Sequence, residues 1–134
     1  MHVGILALQG GYKAHARALQ ELGHTTVEIR EAAQLNEIDG LILPGGESTT
    51  HLKLIDRFEL EAPLNAFIQS GKPVLSTCAG LILCAKEVEG PSQRSFGWLD
   101  ISVHRNAWGR QLDSFEGVAD QDELPLCFIR APRI

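Results

Sequence analysis

Through residue 86 the chain alternates short apolar runs with longer stretches of helical spacing. His2-Val-Gly-Ile-Leu-Ala-Leu8 is almost continuously apolar, the mark of a strand covered on both faces in a parallel sheet. Gln9-Gly10-Gly11 breaks it. Tyr12, Ala16 and Leu19 then recur at i, i+4 and i+7, which predicts an amphipathic helix closed by Gly23. Thr25 to Ile29 reads as a strand and Glu31 to Glu37 as a polar connection. Gly40-Leu-Ile-Leu43 is another buried strand, stopped by Pro44-Gly45-Gly46, and Ser48 is expected to cap a short helix through Ile55. Leu60, Leu64, Phe67 and Ile68 share one face of a further helix that ends before Gly71. Val74-Leu75 reads as a buried strand and Leu81-Ile82-Leu83 as an apolar helix. This alternation predicts an α/β fold: an open, doubly wound, mostly parallel sheet with helices on both faces and right-handed crossovers.

After Glu87 the pattern changes. Gly90 to Gln93 is a loop, Leu99 to Val103 alternates like a strand, and Asn106 to Gly109 turns. Ser114 to Ala119 and Leu126 to Ile129 read as strands, so the C-terminal half is expected to add antiparallel strands at one side of the sheet. With no repeat or linker, residues 1–134 read as a single domain. Hydrophobic content of 44% and charged content of 22% are those of an ordinary globular chain. A net charge of −5 without a Lys/Arg cluster argues against nucleic acid and against an anionic membrane surface. No apolar run approaches the ~20 residues of a membrane span, and the N-terminus lacks the features of a signal peptide. Three cysteines without CxxC spacing make a disulfide scaffold or a zinc site poor expectations and a reducing cytoplasm the better one.

Chemistry concentrates around Pro73 to Ala85. Cys78 falls where an apolar strand hands over to an apolar helix, with Ser76 two residues before and Gly80 two after. That is the layout of a nucleophile elbow, whose tight turn tolerates only small neighbours. A helix N-terminus favours a negative sulfur; equally, a free cysteine is often a small buried hydrophobe. In open α/β sheets ligands sit beyond the carboxyl ends of the strands. Gln9-Gly10-Gly11, Pro44 to Ser48 and Cys78-Ala79 all meet that condition. The glycine pair could expose N–H donors for an oxyanion or form a plain turn, and it matches neither phosphate-loop spacing. Glu47 reads as a solvated first-turn acid or as a ligand for a substrate ammonium. Cys84, Cys127, Trp98 and Trp108 read as packing residues.

Several stretches carry a resemblance that runs the length of the chain. They are Leu8-Gln9-Gly10, Leu35 to Thr50, Thr77 to Ile82, Arg105-Asn106 with Gly109-Arg110-Gln111, Asp113 to Glu116, and Phe128 to Pro132. Together they resemble the class I glutamine amidotransferases, with a flavodoxin-like fold, and among them the glutaminase subunits of pyridoxal 5′-phosphate synthase. The resemblance implies hydrolysis of L-glutamine to glutamate and ammonia, with the ammonia passed to a (β/α)₈ synthase subunit and no cofactor or metal in the glutaminase. It makes Cys78 the nucleophile that forms a γ-glutamyl thioester. Backbone N–H groups of Gly46 and Ala79 become the oxyanion hole, and Gly46, Glu47, Ser48, Arg105, Ile129 and Arg130 the glutamine site. Gln9 stands where partner docking rearranges that hole. Two departures stand out. Ser76 replaces a usual glycine, and the family's His/Glu pair is expected to lie beyond Ile134, which leaves a docking or glutamine-binding module as the alternative. None of the five histidines is expected to serve as the base. A deglycase-type hydrolase would carry histidine after the nucleophile and glutamate after the first strand, where Ala79 and Gln9 stand.

Overall fold

In a computed structural model describing residues 1–120 and 123–134, the apolar runs become the centre of a four-stranded parallel sheet. Its order is β2 (Thr25–Ile29), β1 (His2–Leu6), β3 (Gly40–Leu43), β4 (Val74–Ser76). In-register pairs run from His2–Thr25 to Leu6–Ile29, then Val3–Gly40, and Leu41–Val74 to Leu43–Ser76. The central strands are the buried ones: all of β3 and all but the first residue of β1 are shielded. The expectation of a buried strand at Val74-Leu75 is corrected here. β4 pairs only with β3 at the sheet edge, so Val74 is half-buried and Leu75 is 54% exposed.

Helix α1 (Tyr12–Glu21) lays Tyr12, Ala16 and Leu19 on Val3, Ile5 and Ile42, as the spacing predicts. Side chains of Ile29 and Ile38 lie over Gly4 on the other face. The polar connection turns out to hold a 3₁₀ segment, Ala32–Glu37, which buries Leu35 and is tied down by Gln34, whose Oε1 accepts from the N–H groups of Arg30 and Glu31. Helix α2 (Ser48–Arg57) buries Leu52 and Ile55, and α3 (Glu61–Gln69) buries Leu64 and Phe67 with Leu60 at its start. A fully buried leucine or isoleucine contributes roughly 1.5–3 kcal/mol, so these few faces account for much of the hydrophobic stabilisation.

Contacts divide the chain into two compact units, Met1–Cys84 and Ala85–Ile134. Helix α4 (Ala79–Cys84) closes the first. The second opens at once with β5 (Ala85–Glu89), which pairs with β6 (Leu99–His104) through buried Val88 and Val103. That pair is parallel, unlike the antiparallel addition expected. Strands β7 (Phe115–Val118) and β8 (Pro125–Phe128) do form an antiparallel pair. Phe115 and Phe128 stack there at 4.6 Å, with Trp108 5.2 Å from Phe128. Cys127 was expected in a core, yet it is exposed. It pairs with Glu116, so it faces away from the side that the aromatic rings cover. Among the described residues no helix is long and apolar enough to cross a membrane.

Candidate active site

Cys78 links β4 to α4 with φ +46°, a left-handed conformation that a non-glycine residue rarely adopts. Such a residue carries on the order of 1–3 kcal/mol of strain and persists only where its surroundings over-determine it. They do so here. Thr77 N–H donates to the Leu43 carbonyl at 3.0 Å, Gly80 N–H to Thr77 at 2.9 Å, and Ile82 N–H to Cys78 at 3.1 Å. A Cβ on Gly80 would overlap the carbonyl of Leu43, so the helix can approach β3 this closely only because residue 80 has no side chain. Ser76, the departure noted above, fits the elbow and lies 3.0 Å from the Cys84 sulfur. Burial raises the Cys84 thiol pKa, with the Ser76 contact opposing it, and the side chain is buried. Cys78, by contrast, is half-buried.

The glycine loop lies against this elbow. A Cβ built on Gly45 would stand 3.4 Å from the Cβ of Cys78. The Gly45 carbonyl accepts from Gly11 N–H at 2.9 Å, joining the first loop to the second. Gln9 tightens that join: its Nε2 donates to the Glu47 carbonyl at 3.0 Å, and Glu47 N–H points back to its Oε1 at 3.5 Å. Gly46 has φ +156°, and a Cβ there would sit 2.6 Å from the Gln9 amide nitrogen, so this position also requires glycine. Ala79 opens α4, where the first N–H groups have no intrahelical acceptor.

Helix α2 is capped differently from the sequence expectation. The cap is Glu47, not Ser48, which is the first helical residue and is buried. The Glu47 carboxylate accepts from Thr50 N–H at 2.8 Å, Thr49 N–H at 3.3 Å, Thr50 Oγ1 at 3.0 Å, and Thr49 Oγ1. Partial burial by itself would raise its pKa, but these donors prevail and lower it to about 2. Glu47 is therefore ionised at neutral pH and already spends much of its acceptor capacity inside the loop.

Two histidines lie in this unit's helices. His15 Nε2 is 3.2 Å from Thr77 Oγ1, and burial lowers its pKa. His51 is fully buried with neither ring nitrogen hydrogen-bonded among the described residues; burial lowers its pKa to about 4, with the charge of Glu47 opposing. No histidine bonds the Cys78 sulfur among the described residues. In the second unit, Arg105 follows β6, is buried, and donates its N–H to Glu89 at 2.8 Å. Arg130 has φ +48° and its Nε donates to Asn106 Oδ1 at 3.3 Å, while Ile129 is half-exposed. Gln9, Gly46, Glu47, Ser48, Cys78 and Ala79 thus share the first unit, and Arg105, Ile129 and Arg130 the second.

A model of one family, the SNO glutamine amidotransferases, matches residues 5–134. The chain belongs to this glutamine amidotransferase family. It is 51% identical over 138 residues to the pyridoxal 5′-phosphate synthase subunit PdxT of Shouchella clausii, across all of this chain and 71% of that one. It is 53% identical over 137 residues to the subunit of the same name from Frankia alni, covering 97% of this chain and 69% of that relative. A solved glutamine amidotransferase superposes with a TM-score of 0.84 at 41% identity, covering 97% of this chain and 71% of its own. A Listeria monocytogenes protein named as a putative peptidase E shares the fold over 64% of this chain and 50% of its own, at 19% identity and TM-score 0.56.

Sequence reasoning missed the Glu47 cap and the contact from His15. The first had a signal: a carboxylate followed by Thr49 and Thr50 places backbone N–H and hydroxyl donors within one turn of it. The second had none, because His15 and Thr77 are 62 residues apart.

Proposed function

We propose that this chain is the glutaminase subunit of a pyridoxal 5′-phosphate synthase, working in the cytoplasm beside its synthase subunit. The single observation that carries the proposal is a half-buried cysteine held at positive φ against a glycine loop, within a chain of this family. The Cys78 thiolate attacks the side-chain carboxamide carbon of L-glutamine, and the carbonyl oxygen becomes an oxyanion. N–H groups of Gly46 and Ala79 receive that charge, an interaction made only on the way to the tetrahedral intermediate. Collapse breaks the C–N bond, the nitrogen leaves as ammonia after taking a proton, and a γ-glutamyl thioester remains on Cys78. Water then adds to the thioester, glutamate departs, and the thiol is restored.

Glu47, Ser48 and Gly46 line the glutamine site in this reading, and Arg105, Ile129 and Arg130 are further glutamine-binding residues. Gln9 holds the Glu47 peptide from both sides. Docking of the synthase subunit at the first loop would redirect that grip and turn backbone donors toward the substrate. Proton transfer needs an acid–base group within hydrogen-bond reach of sulfur; His15 reaches Thr77 and not the thiol, so it does not fill that role.

The test is glutamate release from L-glutamine in the presence of the synthase subunit. Cys78→Ala is expected to lower the rate by about 10³-fold or more. A glutamine-analogue electrophile should label Cys78 and spare Cys84 and Cys127. Undiminished release by the variant, or equal labelling of the three thiols, would overturn the proposal. Retained glutamine binding without release would reduce the chain to a binding module.

A further inference from the structure

The nucleophile elbow is held by backbone bonds on one side, by the Ser76 contact with Cys84 of its own helix, and on the other side by a side-chain tie from α1 to Thr77. Thr77 N–H is bound to β3 and its carbonyl to Gly80, which fixes the peptide on either side of the residue. Its hydroxyl is 3.2 Å from His15 Nε2 and 3.9 Å from where a Gly45 side chain would begin. Threonine is β-branched, so fixing its hydroxyl fixes χ1 and, with it, the frame from which Cys78 projects. We propose that His15 is a positioning residue: through Thr77 it keeps Cys78 in its left-handed conformation, with the thiol turned to the glycine loop. The idea deepens the glutaminase reading of this site, and rests on that reading for its consequence in catalysis.

Positioning affects the attack and not the binding of glutamine, so kcat should suffer and KM should not. His15→Ala is expected to lower kcat for glutamate release about tenfold, with KM changed less than about twofold, since sub-ångström misplacement of a nucleophile suffices for such a loss. His15→Gln places an amide nitrogen where Nε2 was and should recover most of the rate. Thr77→Val removes the other half of the contact with little change of shape and should match His15→Ala. The double variant should then be no worse than either single one.

A parallel measurement separates this proposal from the assignment of function. Iodoacetamide labelling is followed thiol by thiol by peptide mass. In His15→Ala, Cys78 should label about fivefold more slowly, while exposed Cys127 keeps its rate and buried Cys84 stays protected. Unchanged Cys78 labelling, strictly additive variants, or an His15→Gln variant no better than alanine would each overturn the positioning role. General loosening of the fold would instead expose Cys84, and that too would count against it. If the unsubstituted chain with its synthase releases no glutamate, the function fails; the labelling of Cys78 still decides the role of His15.

Discussion

In Met1–Cys84 two central strands are shielded on both faces, whereas in Ala85–Ile134 the four strands form two separate pairs with large apolar side chains in solvent. Leu112 is 93% exposed and Val118 63%, against 54% for Leu75, the exposed large apolar residue of the central sheet. The loops differ as well. In the first unit the first two loops at the carboxyl edge are bound to each other, Gly11 to Gly45 and Gln9 to Glu47, and the third is bound through Thr77 to Leu43 of β3 and His15 of α1. The lesson concerns strain. A residue at positive φ costs free energy that must be met by its neighbours, and Cys78 sits where several independent bonds converge. Arg130 is also at positive φ, but among the described residues its side chain is held by a long bond to Asn106. Two-stranded sheets with one covered face open at lower free energy than a multiply paired core.

The largest effect should come from a methyl group placed where the first unit has no room. Gly80→Ala forces α4 away from the Leu43 carbonyl, and we expect a loss of about 3 kcal/mol, at the upper end for overpacking. The matched change in the second unit is Gly117→Ala in β7, where the new atom would meet Phe128 at an ordinary 3.8 Å. There the cost should stay under about 1 kcal/mol. Urea midpoints at constant slope compare the two. Equal midpoints would show that the elbow is no more tightly built than the hairpin.

A smaller effect, of opposite sign, is expected inside the same unit. His51 is fully buried without a hydrogen bond among the described residues, a cost of roughly 1–3 kcal/mol for an unsatisfied group. His51→Leu should therefore raise stability by about 1–2 kcal/mol at pH 7. The pH dependence has a definite sign. The folded-state pKa is lowered to about 4 from 6.5, so the unfolded chain takes the proton more readily. Stability must fall as pH drops from about 6.5 toward 4, and the leucine variant should lose that part of the slope. A slope unchanged by the substitution would mean that His51 finds a partner in solution.

How much of this was legible beforehand follows from what each residue touches. His2 to Leu8 and Gly40 to Leu43 announce themselves because a strand covered on both faces must be apolar throughout. The elbow is legible for a related reason: steric limits around Cys78 leave only small residues as choices at Ser76 and Gly80. β5 was not legible, since Ala85-Lys-Glu-Val-Glu89 is short, charged and joined directly to a helix without any breaker. Nor was the exposure of Leu75, which depends on β4 having one neighbour and not two. Ser48 has the better hydroxyl for a cap by local preference, yet the chain enters α2 one residue earlier, with Glu47 extended at φ −106°. Local pattern fixes element type; which group faces which is a matter of tertiary contact.

The finest comparison sets two carboxylates that each close a turn. Glu47 caps the ten-residue α2 with four donors from Thr49 and Thr50. Asp113 accepts from Arg110 N–H at 2.9 Å and pairs with its exposed guanidinium at 3.7 Å, across a single 3₁₀ turn. Glu47→Gln keeps one acceptor oxygen and loses the charge at a helix N-terminus, which should cost about 1 kcal/mol at pH 7. The folded-state pKa of Glu47 is lowered to about 2 from 4.5, so its contribution is complete above about pH 4.5 and fades as pH falls toward 2. The glutamine variant and the parent chain should therefore converge in stability over that interval. Asp113→Asn should stay within about 0.5 kcal/mol at every pH, as expected for an exposed ion pair. Were the two substitutions to cost the same, the dense hydrogen bonding around Glu47 would contribute nothing beyond an ordinary surface turn.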